Sequence, residues 1–386
     1  MWRRTAIVAL ALASAVFSAE ALDRYYAWPV PAYMPLPPVP EDNPMTAVKV
    51  ELGRHLFYDA RLSRDSTIAC ASCHAQDKAF TDGLPLSLGI DGTIGNRNSP
   101  SLGNVGYMPQ LTWGNPHIGS PETQALIPLF GDNPEEMGSS GREAEIFARL
   151  AADPYYADAF PSAFPERPQI DLFTVTRAIG AFQRTLISVD SPYDRYKYWG
   201  EDDAITASAK RGEQLFFDHR LECYHCHTGI LFTDNLQTTR SKVAETGNHN
   251  NGLYNIGGTG DYPATATGFF EFTGNRADMG RFRTPSLRNV GVTAPYFHDG
   301  TAATLEDVID HYAAGGRTIT EGPHAGNGAQ NPYKDVLIKG FTITRQEKAD
   351  LIAFLESLTD EGFLSNPNYS DPWPEGHPAT IDRVMP

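Results

Sequence analysis

All four cysteines of this chain fall inside two copies of one pentapeptide, Cys70-Ala71-Ser72-Cys73-His74 and Cys223-Tyr224-His225-Cys226-His227. Two thiols at this spacing, with an imidazole directly after them, suit covalent attachment of a porphyrin. The thiols reach its two vinyl groups, and the histidine meets the iron from the proximal side. The competing chemistry is a zinc or dithiol site. That would need further thiol and imidazole ligands at metal spacing, or a redox pair without the trailing histidine. Neither fits twice with no cysteine left over. The pattern predicts two covalently bound c-type haems, with His74 and His227 as proximal ligands.

The elements that must hold these motifs are themselves repeated. Gly53-Arg54-His55-Leu56-Phe57-Tyr58-Asp59-Ala60-Arg61-Leu62 precedes the first motif, and Phe80-Thr81-Asp82-Gly83 follows it. Gly212-Glu213-Gln214-Leu215-Phe216-Phe217-Asp218-His219-Arg220-Leu221 precedes the second, and Phe232-Thr233-Asp234-Asn235 follows it. The first copy has six extra residues between Leu62 and Cys70. Matching flanks on both sides predict a duplicated haem domain. Val175, Ile179, Phe182 and Leu186 recur at helical spacing, which predicts a helix over 173–187. Thr344 and Glu347 form a capping box for a second helix over 344–358, with Leu351, Ile352, Leu355 and Leu358 as its buried stripe. Residues 238–276, rich in Gly, Asn and Thr, read as loop, and strand alternation is scarce.

The expected fold is mainly α: two cytochrome-c-like haem domains from an internal duplication, preceded by a proline-rich arm. The expected boundaries are a signal peptide at 1–21, the arm at 22–44, an N-terminal haem domain with its linking helix at 45–190, a C-terminal haem domain at 191–365, and a tail at 366–386. Arg3 and Arg4, the apolar run from Thr5 to Phe17, and Ala19-Glu20-Ala21 carry the signal-peptide reading. The apolar run is too short to span a membrane, and no later stretch approaches about 18 apolar residues. Attached c-type haem then points to the bacterial periplasm. The formal charge is −16. Removing residues 1–21 takes away Arg3, Arg4 and Glu20 and moves it to −17. Nucleic acid and anionic membrane need a basic footprint, so neither is expected as a partner.

Beyond the haem motifs, Phe282-Arg283-Thr284-Pro285-Ser286-Leu287-Arg288-Asn289-Val290 leads into Thr293-Ala294-Pro295-Tyr296-Phe297-His298-Asp299-Gly300. With the two haem motifs, this strongly resembles the bacterial di-haem cytochrome c peroxidase and MauG superfamily, over roughly residues 48–358. His298 is the histidine of the family's Tyr-Phe-His-Asp-Gly motif and is expected among the cofactor-binding residues. Ordinary family members look to carry a methionine ligand fourteen residues beyond it, and here that position is Tyr312. Leu305, Val308, Ile309 and Tyr312 share one helical face behind the cap Thr304. A core tyrosine packed beside the haem is the ordinary reading of that face. The resemblance makes Tyr312 the sixth ligand of the second haem, ahead of His311 and Met279, and implies the tyrosine-ligated MauG-like branch. Phenolate favours oxidised iron where a thioether favours reduced iron.

The resemblance implies further roles. The distal histidine of ordinary members lies about sixteen residues past the haem histidine, where this chain has Ile90, so the iron bound by His74 is expected to be open without prior reduction. Gln124-Ala125-Leu126-Ile127-Pro128 and Asn133-Pro134-Glu135-Glu136-Met137 resemble the distal segment. Glu136 becomes the general acid-base for peroxide, with Gln124 and Pro128 shaping the pocket. About two extra residues between Pro128 and Glu136 leave Glu135 as the alternative, and either glutamate alone reads as a solvated surface charge. Trp113, fifteen residues after Asn98, matches the family's inter-haem tryptophan; a core tryptophan is the bland alternative. Asn98, Thr293 and Pro295 match a calcium position and suit a hard cation, although Asn-Ser-Pro and Ala-Pro are also plain turn sequences. Members of the tyrosine branch have a surface tryptophan just before the second haem motif, but here Leu221 and Glu222 stand there. Trp199 and Tyr224 are substitutes for that role, with ordinary packing the competing reading.

Three functions follow. The first is a MauG-like peroxidase that uses hydrogen peroxide to form a high-valent state shared by both haems (a bis-Fe(IV)-type state) and oxidises tryptophan or tyrosine in a partner protein. The second is a cytochrome c peroxidase that draws electrons from a small redox protein. The third is an electron carrier with two six-coordinate haems. Tyr312 and Ile90 favour the first.

Overall fold

Thr46 starts helix α1 (Ala47–Phe57), its hydroxyl accepting the Lys49 amide, in a computed structural model that describes residues 26–380. The expected signal peptide lies outside the described residues. The first haem pentapeptide forms a single turn, α2 (Cys70–Cys73). Asp171 and Thr174 cap α3 (Leu172–Arg184) reciprocally. In the second half, Thr206 caps α4 (Ala207–Phe216), and the second pentapeptide forms the turn α5 (Cys223–Cys226). Thr304 with Asp307 and Thr344 with Glu347 box the starts of α6 (Leu305–Ala313) and α7 (Arg345–Glu356). Each such cap satisfies amides that have no partner inside the helix, which is why Thr and Asp stand where these helices begin.

α1 packs on α3 and α4 packs on α7, with the same joint at both crossings. A Cβ on Gly53 would stand 1.9 Å from the Ala178 carbonyl oxygen, and one on Gly212 would stand 1.9 Å from that of Asp350. Only hydrogen fits at either position. Phe57 then meets Phe182 at 5.3 Å between ring centroids, and Phe216 meets Phe354 at 5.1 Å. Phe80 and Phe232 close on the same rings at 6.0 and 5.8 Å. These side chains are fully buried, and each contributes about 1.5–3 kcal/mol by leaving water.

Both closing helices stop at an asparagine in the left-handed region. Asn104 (φ 62°) donates its amide to the Leu186 carbonyl at 2.7 Å, and Asn289 (φ 62°) donates to that of Leu358 at 3.0 Å. The Asn104 side chain also exchanges hydrogen bonds with the Ser188 backbone. This competition ends α3 at Arg184, three residues before the sequence-based end at Ile187. α7 lies within the predicted span, but its stripe differs: Phe354 is fully buried and Ile352 only partly.

The fold is mostly helical. Its sheet structure among the described residues is two short antiparallel pairs, β1 (Asn248–His249) with β2 (Phe282–Arg283), and β3 (Thr318–Ile319) with β4 (Gly326–Asn327). β1 and the short helix Phe270–Thr273 interrupt the stretch read as loop. Residues 26–44 form no helix or strand, and the Pro35 carbonyl accepts from the Tyr107 hydroxyl at 2.9 Å. After α7 the chain returns to the first half. Phe363 and Tyr369 join its core, the Tyr369 carbonyl accepts from Tyr58, and Trp373 donates its indole N–H to the His55 carbonyl. No helix among the described residues is long and apolar enough to cross a membrane.

Candidate active site

Each motif histidine is aimed by a backbone carbonyl. His74 Nδ1 lies 2.8 Å from the Phe80 carbonyl, and His227 Nδ1 lies 3.1 Å from that of Phe232. Both phenylalanines have positive φ, 62° and 52°, a conformation that non-glycine residues keep only when the surroundings enforce it. A ring whose Nδ1–H is donated to a carbonyl presents Nε2 as the metal-binding nitrogen. Ser99 adds a hydroxyl 3.3 Å from His74 Nδ1 while donating to the Cys73 carbonyl. The sequence could not single out these carbonyls, because any residue type carries one; the repeated Phe-Thr-Asp was their only trace.

One cavity of about 430 Å³ runs between the halves, lined by His74, His227, Cys223 and Cys226. Burial pushes the Cys70, Cys73 and Cys223 thiols up to about 12. The remaining walls are largely apolar, with a few unsatisfied polar atoms. His298 is 3 % exposed, stacks on Phe282 at 3.6 Å, and has a buried Nε2 with no partner. Burial drives its pKa down to about 3. Arg283 lines the cavity with no carboxylate partner among the described residues, and burial lowers it to about 10. A buried guanidinium and an orphaned imidazole nitrogen suit a group that brings its own anionic and acceptor atoms. The residues present therefore fit haem.

Tyr312 lines this cavity together with Leu305 and Val308 of α6. Burial holds its phenol above the usual value, and the thiols of Cys226 and Cys223 add to the shift. His311 is not among the lining residues; its Nε2 lies 2.9 Å from the Asn251 carbonyl. Met279 packs in a separate cluster with Leu253 and Tyr262. Met108 does line the cavity, but its sulfur accepts from Asn235 at 3.8 Å. Trp113 stands in the cavity wall, donating its indole N–H to the Asn98 carbonyl at 2.8 Å, with its ring 6.4 Å from that of His298.

The two glutamates separate clearly. Glu135 lies 3.5 Å from the Arg64 guanidinium. Glu136 has no ion pair among the described residues, and burial raises its pKa. Glu136 is not among the residues that line the cavity. Its backbone is clamped: the Ile90 amide donates to the Glu136 carbonyl at 2.8 Å, and the Arg64 amide donates to that of Met137 at 2.9 Å. Ile90 itself is 1 % exposed. Gly89 allows this approach, since a Cβ there would meet the Glu135 carbonyl at 2.4 Å. Pro128 lies on the short helix Leu126–Phe130, and its carbonyl accepts the Met137 amide at 3.0 Å. Gln124 reaches the cavity from the turn Pro121–Gln124. That turn is fixed by a buried pair the sequence did not announce, Glu122 to Arg184 through two bonds of 2.6 and 2.7 Å.

Asn98, Thr293 and Pro295 all line the cavity. Asn98 donates its side-chain amide to the Leu84 carbonyl at 2.8 Å, which orients its oxygen away. Trp199 is 57 % exposed at the end of the helix Pro192–Trp199. The Tyr224 ring lies 4.1 Å from that of His225.

Comparison with known proteins agrees with this geometry. Residues 47–203 match the family model described as di-haem cytochrome c peroxidase. The chain is 35 % identical to cytochrome-c peroxidase IdrP1 of Pseudomonas sp. strain SCT, over 85 % of this chain and 86 % of that protein. It is 34 % identical to the methylamine utilization protein MauG of Methylorubrum extorquens, over 84 % and 82 % of the two chains. A crystal structure of a MauG-like protein associated with microbial copper homeostasis superposes with a TM-score of 0.88, at 48 % identity over 90 % of this chain and 100 % of that one. With two haem motifs, carbonyl-aimed histidines and a shared cavity already in place, these likenesses settle the assignment: the chain belongs to the di-haem cytochrome c peroxidase family of haem-dependent oxidoreductases.

Proposed function

We propose that this chain is a MauG-like di-haem peroxidase of the tyrosine-ligated branch, exported to the periplasm, that uses hydrogen peroxide to oxidise tryptophan or tyrosine in a partner protein. Its two halves are read as duplicated haem domains, with haem attached at Cys70 and Cys73 and at Cys223 and Cys226. His74 and His227 would hold the two irons, with Tyr312 joining His227 at the second. When bound, the haems would supply iron able to take up two oxidising equivalents from peroxide. The chain's own residues manage protons and position. Glu136, unpaired and raised by burial, takes a proton from one peroxide oxygen and returns it to the departing one, so that water leaves. Gln124 and Pro128 bound that space. Trp113 gives the two centres a common path, and His298 with Arg283 receives the acceptor atoms of the cofactor. Asn98, Thr293 and Pro295 hold calcium through an amide oxygen and backbone carbonyls.

The observation that carries this reading is Tyr312 lining one cavity with His227, Cys223 and Cys226 while Met108 is engaged elsewhere. The 48 % identity to a MauG-like protein associated with copper homeostasis supports the branch and makes a copper-handling protein the first partner to try. The second reading, reduction of peroxide with electrons from a small redox protein, is supported by likeness to a protein named as a cytochrome-c peroxidase. Tyr312→Met separates the two. It is expected to raise the potential of the second haem and to make the peroxide reaction depend on prior reduction, as followed by redox titration and stopped-flow absorbance. An unchanged potential and an unchanged peroxide reaction would remove Tyr312 from the ligand set.

A further inference from the structure

Helix α4 ends at Phe216, and the chain reverses before the second haem motif. The amides of Leu221 and Glu222 both donate to the Asp218 carbonyl at 3.2 Å. Leu221 is 5 % exposed and anchors this turn, which leaves His219 on its outer side. Glu222 takes a left-handed conformation (φ 60°) as it enters α5, and His225 follows one turn later. His219, Glu222 and His225 each offer one ligand atom, and these atoms lie within 4.8 Å of one another.

An ordinary surface ion pair between Glu222 and His225 does not account for the geometry. Glu222 Oε2 comes to 2.6 Å from His225 Nδ1, yet it is buried and makes no hydrogen bond. That oxygen has no aligned donor, and Glu222 borders the cavity described above. Tyr224 places its hydroxyl 2.9 Å from His219 Nδ1 and so orients that ring, the kind of support a metal-binding histidine receives. Two imidazoles and one carboxylate suit a divalent transition cation. Ligand atoms around a four-coordinate ion with bonds of about 2.0–2.1 Å stand roughly 3.3 Å apart, which falls between the 2.6 Å Glu222–His225 separation and the 4.8 Å span of the group. Among the common divalent ions, copper(II) binds such nitrogen and oxygen donors most tightly.

We propose that His219, Glu222 and His225 form a surface site for a divalent transition metal, copper(II) before zinc, with a coordination position open to solvent. His219 and Glu222 also border the cavity described above, so the site sits at its rim, and its metal binding is read separately from the peroxide reaction. The test is a titration of the mature di-haem protein with copper(II), followed by calorimetry and by the copper EPR signal. One equivalent is expected, with hyperfine splitting from two nitrogens. His219→Asn and His225→Asn should each weaken binding at least tenfold, whereas His117→Asn should leave it unchanged. Counting haems per chain shows that each variant has matured. If His225→Asn fails to mature, His219→Asn, which lies outside the pentapeptide, decides alone. No saturable binding, or equal affinity in wild type and His219→Asn, overturns the site.

Discussion

At the scale of single residues, the account turns on which carboxylate handles the peroxide proton. Glu135 is paired with Arg64 and Glu136 is not, so the two adjacent glutamates give opposite expectations. Glu136→Gln should slow the first peroxide step by about 10²–10⁴-fold, the usual worth of a positioned acid-base. Glu135→Gln should change it little. The pH profile gives a second check. Burial raises the Glu136 pKa above 4.5, and a base acts only when deprotonated. The rate should therefore fall as pH drops through that raised value, and Glu136→Gln should flatten this acid limb in stopped-flow measurements. The expectations for the cysteines, His74 and His227 came from the pentapeptides alone, because there the chemistry resides in side-chain type at fixed spacing. Tyr312 and Glu136 needed the likeness to a family, because tyrosines and glutamates have many ordinary uses. The carbonyls of Phe80 and Phe232 were not legible at all, since their role comes from backbone turned by positive φ.

At the scale of elements, the two helix crossings position both haem motifs, and each depends on a missing Cβ. Gly53→Ala and Gly212→Ala would put carbon 1.9 Å from a carbonyl oxygen. The helices must then separate, at a cost on the order of 1–3 kcal/mol for each substitution, measurable by chemical denaturation of the mature protein. A null effect at either glycine would mean the crossing is looser than described. The buried Glu122–Arg184 pair holds the turn carrying Gln124. Burial alone would raise Glu122, but the Arg184 guanidinium outweighs it and holds the carboxyl below 4.5. That stabilisation is fully present above the unfolded value of 4.5 and is lost as pH falls through the lower folded value. Glu122→Gln should lower stability near neutrality by about 3 kcal/mol and weaken its pH dependence on the acid side, as thermal melts across pH would show. Helical spacing exposed α3 and α7, whose apolar residues recur at the right period. The helix ends were less readable, because Asn104 and Asn289, distant in sequence, decide where the hydrogen bonds stop.

At the scale of the whole molecule, one cavity touches both motif histidines, Trp113, His298 and Tyr312. The repeated flanks carried the expectation of two similar halves, and the matching joints at Gly53 and Gly212 are what the structure shows of it. How the halves close on each other was not predictable, since that depends on Arg283 and His298 entering a space they share with the first half. The return of Phe363, Tyr369 and Trp373 to the first core likewise left no periodic mark. The most direct test of the central claim is low-temperature EPR of the fully ferric protein before and after one equivalent of hydrogen peroxide, with no reductant. The account predicts one high-spin and one low-spin signal at the start, both lost together on addition of peroxide. Two low-spin signals, indifferent to peroxide until one haem is reduced, would contradict it and place the protein among ordinary cytochrome c peroxidases.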